Sequence, residues 1–264
     1  MTVYTHGHHD SVLRSHRWRT AQNSAAHLLP LLKPTDRLLD VGAGPGTITA
    51  DLAQLVAYVA ATEIGADEVA LARATMVARE ATNVDVQVAD VHALPFDDDV
   101  FDVVHAHQVL QHVADPVQAL REMARVTRPG GVVAVSNRDD AGFYWWPQLP
   151  ELVTWRDLYR AAARANGGEP DAGRRLLSWA HAAGLTDAIA TSSTWCCASS
   201  EDRTEWGGMW ADRILTSAIA EQFTASGHAT HDDLQSISHA WKRWAASEDG
   251  WFSVLHGEII VRVT

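Results

Sequence analysis

Arg37-Leu38-Leu39-Asp40-Val41-Gly42-Ala43-Gly44-Pro45-Gly46-Thr47 is the stretch that decides the fold. An apolar run ends in an aspartate, three alternating glycines follow, and helical periodicity begins at Thr47. That order predicts a strand, a tight turn and a helix start. Glycine has no Cβ, so the turn can take positive φ angles and let a ligand lie against the backbone, with the N–H groups of the helix start facing it. A nucleotide-like ligand is the first expectation, and an ordinary glycine-rich loop is the competing one.

Outward from this turn, strands and helices alternate. Leu38 to Val41 predicts the first strand, Thr47 to Val56 a helix, and Tyr58 to Thr62 a second strand ending in Glu63. An acidic side chain there, about 20 residues beyond the glycines, is placed to accept hydrogen bonds from a ribose. Residues 66–81 read as an alanine-rich helix, and Val84, Val86 and Val88 alternate with polar residues up to Asp90. Phe101 to His107 predicts a fourth strand. Asp115-Pro116 supplies a helix N-cap and first turn, Leu120, Met123, Ala124 and Val126 its buried stripe, and Arg128-Pro129-Gly130-Gly131 its stop before Val132 to Val135. Connections of this length imply parallel strands joined by right-handed crossovers. The predicted fold is therefore α/β, a doubly wound and mostly parallel sheet. Ligands of such sheets sit beyond the carboxyl ends of the strands, where Gly42 to Gly46, Glu63, Asp90 and His107 fall.

The flanks are less regular. Residues 1–33 open with Tyr4, His6, His8 and His9, and their apolar spacing from about Ser11 suits a helical cap closed by Pro34. The clustered histidines could bind a metal or face a substrate, but a solvated terminus explains them as well, and no metal site is predicted. After Ser136 the alternation breaks at Tyr144-Trp145-Trp146-Pro147. Helices are expected over 149–165, 171–183, 200–224 and 231–246, a strand over Ile189 to Cys197, and a closing strand from Phe252 to Val263 with a bulge near Gly257. The whole reads as one domain of 1–264 with seven strands. Its parts are a cap (1–33), a cofactor-binding core (34–138), two substrate-covering inserts (139–166 and 199–250) and a closing strand (251–264). Of 11 tryptophans, only Trp18 precedes Trp145.

Composition narrows the function. With 21 basic against 33 acidic residues, the net charge of -12 opposes a phosphate backbone or an anionic membrane, so neither nucleic acid nor membrane is the expected partner. No apolar run of about 18 residues occurs and the N-terminus lacks a signal peptide's hydrophobic region, so a soluble, cytoplasmic protein is expected. The 2 cysteines, Cys196 and Cys197, are adjacent and read as strand residues.

The glycines at 42, 44 and 46 do not match the G-x-G-x-x-G spacing of a pyrophosphate-binding turn, which disfavours a nicotinamide oxidoreductase. With Asp40 they form D-x-G-x-G-x-G, which resembles the cofactor loop of class I S-adenosylmethionine-dependent methyltransferases. Ala89-Asp90-Val91, Leu94-Pro95-Phe96, Phe101-Asp102-Val103-Val104, Leu110-Gln111-His112-Val113 and Arg128-Pro129-Gly130-Gly131 follow in an order similar to the subgroup acting on ubiquinone and menaquinone precursors and other small molecules. The resemblance covers about residues 37–136, and Gln111 stands where that subgroup often has glutamate.

The resemblance implies a Rossmann-like fold and S-adenosylmethionine as cofactor, with S-adenosylhomocysteine as product. Gly42, Ala43, Gly44 and Gly46 would pack against its methionine part, with Asp40 holding the loop or meeting the amine through water. Glu63 would hold the ribose, Ile64 cover an adenine face, and Asp90 and the Val91 amide read the adenine edge, while the His107 carbonyl would lie near the sulfonium. His107 is the first candidate base, with His8, His9 and His112 behind it. Tyr4, Tyr144, Trp145, Trp146, Trp206, Trp210 and Arg213 are the candidate acceptor pocket, suited to a small aromatic or apolar molecule. A nucleic-acid methyltransferase acting on amino groups would carry an Asn/Asp-Pro-Pro-aromatic element where His105-Ala106-His107-Gln108 stands. A binding protein without turnover is the remaining alternative.

Overall fold

The computed structural model describes residues 18–264, which fall into two compact units. The larger comprises 18–138, Ala172–Ser193 and His256–Thr264; the smaller comprises Asp139–Asp171 and Thr194–Leu255 among the described residues. The sequence reads as one domain, and the described residues form two units.

The larger unit is the predicted α/β sheet. Its strands are β1 (Arg37–Val41), β2 (Tyr58–Glu63), β3 (Val84–Val88), β4 (Phe101–His107) and β5 (Thr127–Arg138), joined by parts of β7 (Ile189–Cys197) and β8 (Trp251–Arg262). They lie in the order β3-β2-β1-β4-β5-β8, with β7 beside β8. The pairs among β1 to β5 are parallel, and β8 closes antiparallel to β5. The register from His256 to Arg262 against β5 is unbroken, so the bulge expected near Gly257 is absent. Gly257 has another reason to lack a side chain: a Cβ there would run into the Gly173 carbonyl.

Because side chains alternate along a strand, neighbouring residues feed opposite cores. Leu39, Val104, Val133 and Val135 pack with α4 (Pro116–Val126) and α6 (Leu176–Ala182) on one face. Leu38, Val103, Val132 and Ala134 pack on the other with α1 (Ala21–Ser24), Leu28 and α2 (Thr47–Ala53). A third cluster joins α3 (Ala66–Ala78) to β2 and β3 through Val69, Ala72, Met76 and Val86. Asp115 caps α4 by accepting the Gln118 N–H at 2.9 Å, with Pro116 in the first turn as expected. The helix expected up to Pro34 ends instead at Ser24, and Leu29–Leu31 forms only a single tight turn. The chain leaves the helix at Ala25 (φ -133°, ψ 21°), and Pro30, which offers no N–H, sits at the start of the later turn.

The smaller unit is built on aromatic packing. It holds β6 (Tyr144–Trp146), an eighth strand not anticipated, paired antiparallel with Trp251 to Ser253 at the start of β8. Around it are α5 (Pro150–Ala165), α7 (Ser200–Thr216), α8 (Ala218–Ala225) and α9 (His231–Ala246). Ser199 with Asp202 and Thr230 with Asp233 form capping boxes at the starts of α7 and α9. The single helix expected over 200–224 is two, because Ser217 is extended (ψ 165) and its hydroxyl donates to the Arg213 carbonyl at 2.7 Å. Trp155 meets Trp210 and Trp241 edge-on, with ring centroids 4.6 and 4.9 Å apart, and Phe143 and Phe252 complete the centre.

Candidate cofactor site

The glycine turn follows β1 as predicted. Gly42, Gly44 and Gly46 all have positive φ, at 68°, 57° and 81°. Two of them are also closely packed by neighbouring residues. A Cβ on Gly42 would run into Val109 Cγ2, and one on Gly46 would sit 2.8 Å from Met76 Cε and 3.2 Å from Ala72 Cα. The turn is tied to the next strand by the N–H groups of Gly42 and Ala43, which donate to the Thr62 carbonyl at 2.8 and 3.1 Å.

Two carboxylates brace it. Asp40 is buried and accepts from the Thr49 hydroxyl at 2.5 Å and from His105 Nδ1 at 2.8 Å, so its role is to hold the start of α2 against β4. Of the two roles the resemblance offered, loop support is the one its geometry serves. Glu63 sits at the turn itself: one oxygen accepts the Gly44 N–H at 2.7 Å and the other the Ile64 N–H at 3.0 Å. Burial pushes the Glu63 carboxyl above its usual range, while the two N–H groups pull the other way. Ile64 is 67% exposed, an apolar side chain at the end of β2 with an open face.

Asp90, past the end of β3, is exposed and turned onto its own loop. It accepts from the His92 N–H at 2.9 Å and lies 2.6 Å from His92 Nδ1, contacts that hold its carboxyl below the usual range. Its carbonyl takes the Ala93 N–H, and the intervening Val91 side chain is buried.

At the end of β4, His107 is buried. Its Nδ1 is 2.7 Å from Ser136 Oγ, and its ring stacks on His256 with centroids 5.6 Å apart. Burial, then the Arg19 cation, push its pKa well below 6.5. His112 lies in the tight turn Leu110–His112 and is pushed down to about 3, by burial first and then by Arg138 and Arg19. Burial thus weakens both imidazoles as proton acceptors near neutral pH. His8, His9 and Tyr4 lie outside the described residues. Among the described residues no group of three or more His, Cys, Asp or Glu could hold a metal ion, and no helix is long and apolar enough to cross a membrane.

The candidate acceptor residues belong to the smaller unit. Trp145, Trp210 and Arg213 are buried in its core, with the Arg213 guanidinium 4.7 Å from the Trp210 ring centre. Trp206 is half-buried against that core, while Tyr144 and Trp146 are exposed. Two residues of the larger unit escaped notice in the sequence. His105, which grips Asp40, is identifiable only from the register that sets the two side by side. Gln108 carried a signal, as the unusual residue after His107, but its left-handed backbone was not legible.

A doubly wound sheet with a three-glycine turn after its first strand, and a carboxylate bridging that turn from the second, defines a nucleoside-cofactor-binding α/β protein. Comparison with known proteins makes the class specific. The family described as methyltransferase domain matches residues 39–135. An uncharacterised methyltransferase of Schizosaccharomyces pombe is 33% identical, over 98% of this chain and 96% of its own. A demethylmenaquinone methyltransferase of Mycolicibacterium paratuberculosis is 34% identical, over 66% of this chain and 72% of its own. Among solved structures, phosphoethanolamine N-methyltransferase 2 of Haemonchus contortus, bound to S-adenosylhomocysteine, has a similar fold, with a TM-score of 0.56 at 16% identity over 98% of this chain and 54% of that one. The chain belongs to the class I S-adenosylmethionine-dependent methyltransferases. Its cofactor is S-adenosylmethionine, and the left-handed glycines of the turn with the Glu63 carboxylate at its edge are groups that fit it.

Proposed function

We propose that this methyltransferase acts on a small aromatic or apolar acceptor in the manner of quinone-precursor methylation. The observation that carries the donor half of this reading is the braced turn, in which Asp40 and Glu63 fix backbone at the ends of β1 and β2. In it, Gly42, Ala43, Gly44 and Gly46 hold the methionine part of the cofactor, Glu63 the ribose, Ile64 an adenine face, and the Val91 amide with Asp90 the adenine edge. Support for the acceptor comes from the demethylmenaquinone methyltransferase relative and from the net charge of -12, which discourages nucleic acid. Of the aromatic candidates for the acceptor, Tyr144 and Trp146 are exposed and Trp206 half-buried.

Bound S-adenosylmethionine supplies an activated methyl group on a sulfonium. The chain then has to hold the nucleophile in line at near-attack distance, which can contribute roughly 7–11 kcal/mol. His107 is the residue proposed to take a proton where the nucleophile carries one, and the burial that lowers its pKa makes it a weak acceptor of that proton. A base of this kind adds about 10²–10⁴-fold. Calorimetry with S-adenosylmethionine, S-adenosylhomocysteine and NAD tests the donor: binding of NAD alone would sink the reading. A screen of phenols, quinols, amines and keto acids for S-adenosylhomocysteine release tests the acceptor, and product only with nucleic acid would overturn it.

A further inference from the structure

Gln108 is the residue at the end of β4 whose conformation is out of the ordinary. It is buried, and its φ is 57°, the left-handed region that long side chains rarely adopt. Its N–H donates to the Ser136 carbonyl at 2.7 Å, on the β5 side of the strand. In a trans peptide the carbonyl points opposite to the N–H, so the His107 carbonyl faces the other neighbour, β1, which runs on into the glycine turn. The left-handed step then folds the chain back and lays Val109 on Gly42, the contact that leaves no space for a Cβ there.

The side chain makes a second set of contacts. Its Oε1 accepts from Arg19 Nη2 at 3.1 Å, which fixes the amide orientation. The Nε2 group is thereby a donor, aimed at His256 Nε2 at 3.0 Å, and His256 must carry its proton on Nδ1. That ring is the one stacked on His107, inclined by 25°.

We propose that Gln108 is a positioning residue of the methyl-transfer centre. Its backbone aims the His107 carbonyl and Val109 at the glycine turn, and its amide, oriented by Arg19, holds His256 in the Nδ1–H tautomer beside His107. The inference rests on the cofactor site described above and assigns a residue that contacts neither cofactor nor acceptor in that scheme.

The test uses the full chain and substitutions of Gln108, with S-adenosylhomocysteine affinity measured by calorimetry and imidazole tautomers by nitrogen-15 NMR, His256 being assigned through His256→Asn. Gln108→Val, whose branched side chain resists positive φ, is expected to weaken S-adenosylhomocysteine about tenfold. Gln108→Gly takes the same backbone freely and is expected to recover most of that affinity while losing the single Nδ1–H signal of His256. Gln108→Glu keeps the Arg19 contact but can only accept, so His256 is expected to move its proton to Nε2 or become imidazolium. Equal affinity of the valine and glycine variants overturns the backbone role, and an unchanged His256 tautomer in the glycine and glutamate variants overturns the relay. Should the valine variant not fold, a glycine variant that binds as weakly as Gln108→Leu carries the same refutation. Failure of the unsubstituted chain to bind S-adenosylhomocysteine refutes the cofactor site instead, and the NMR result still decides the relay.

Discussion

Glu63→Gln is the sharpest single perturbation of the cofactor site. The native carboxylate uses one oxygen for the Gly44 N–H at 2.7 Å and the other for the Ile64 N–H at 3.0 Å. A glutamine offers one oxygen and one amino group, so one of those N–H groups must face another donor. Leaving a partly buried N–H without its acceptor costs about 1–3 kcal/mol, and a hydrogen bond from a ribose hydroxyl loses its charged acceptor as well. Because the side chain is only half-buried, the lower part of that range applies to each, and a net loss of about 1.5–3 kcal/mol corresponds to roughly a 10- to 150-fold rise in Kd for S-adenosylhomocysteine. Calorimetry at pH 7.5 on native and substituted protein reads this directly. The same carboxyl adds a pH signature. Burial raises its pKa, so the acceptor form is lost as pH falls through a value above 4.5, and affinity should fall with it, with a proton released on binding in that window. The sign for stability is opposite: a raised carboxyl pKa favours the ligand-free fold at low pH and loses that contribution as pH rises. A substituted protein that binds within twofold of the native one, with the same pH dependence, would refute the assignment of Glu63 to the ribose.

Three other measurements bear on the structure. Trp155→Ala removes a fully buried indole from the centre of the smaller unit and should cost about 3–5 kcal/mol, read as a lower urea midpoint; a shift of under 1 kcal/mol would mean the site is not packed as described. His27 is pushed from 6.5 down to about 4, by burial first, against the Glu258 carboxylate 3.5 Å away. A lowered histidine pKa means that the unfolded chain binds the proton first, so stability should fall as pH drops from about 6.5 to 4, by up to about 3 kcal/mol, and His27→Leu should flatten that slope in thermal melts. For His107, whose pKa lies well below 6.5, kcat/KM should show no limb near pH 6.5 that His107→Ala removes; an apparent pKa of 6.5 lost in that variant would contradict its burial.

The parallel sheet was legible because its evidence is local. The core strands are short apolar runs, or in β3 an apolar–polar alternation, bounded by turn signals, and Asp115-Pro116 and Arg128-Pro129-Gly130-Gly131 mark helix ends by chemistry that works wherever it occurs. Where local signals conflicted, the reading failed. Pro30 was absorbed into an apolar spacing that suggested helix, and Ser217 has no breaker chemistry of its own, since its extended conformation is tied to a hydroxyl bond back to Arg213. Nor could the indoles of Trp145 and Trp210 be told from those of Tyr144's neighbour Trp146 by sequence, because core and surface positions of an aromatic cluster differ only in what packs against them.

The site divides along the same line. The glycines, Glu63 and Asp90 lie at strand ends and are readable from spacing, whereas the groups that hold them depend on how strands align. Asp40 pairs with His105, His107 with Ser136, Ser136 with Glu258 and Arg138 with His256 in the sheet register. By the alternation of side chains, Asp40, His105, His107, Ser136, His256 and Glu258 share the face of the sheet whose apolar positions are Leu38, Val103, Val132 and Ala134. Towards the carboxyl ends that face changes from apolar to polar, and Thr49, Ser24 and His27 meet it from α2, α1 and the residues that follow α1. A polar row of this kind costs stability unless its members satisfy one another. Each of its carboxylates has hydroxyl or imidazole partners: Asp40 has Thr49 and His105, and Glu258 has Thr191, Ser193 and His27. The row adjoins the glycine turn, since Asp40 stands just before Val41 and Gly42. Changing one of its members should therefore disturb cofactor affinity without touching the cofactor, which is the behaviour expected of His105, within β4, and of Gln108, just past the end of that strand.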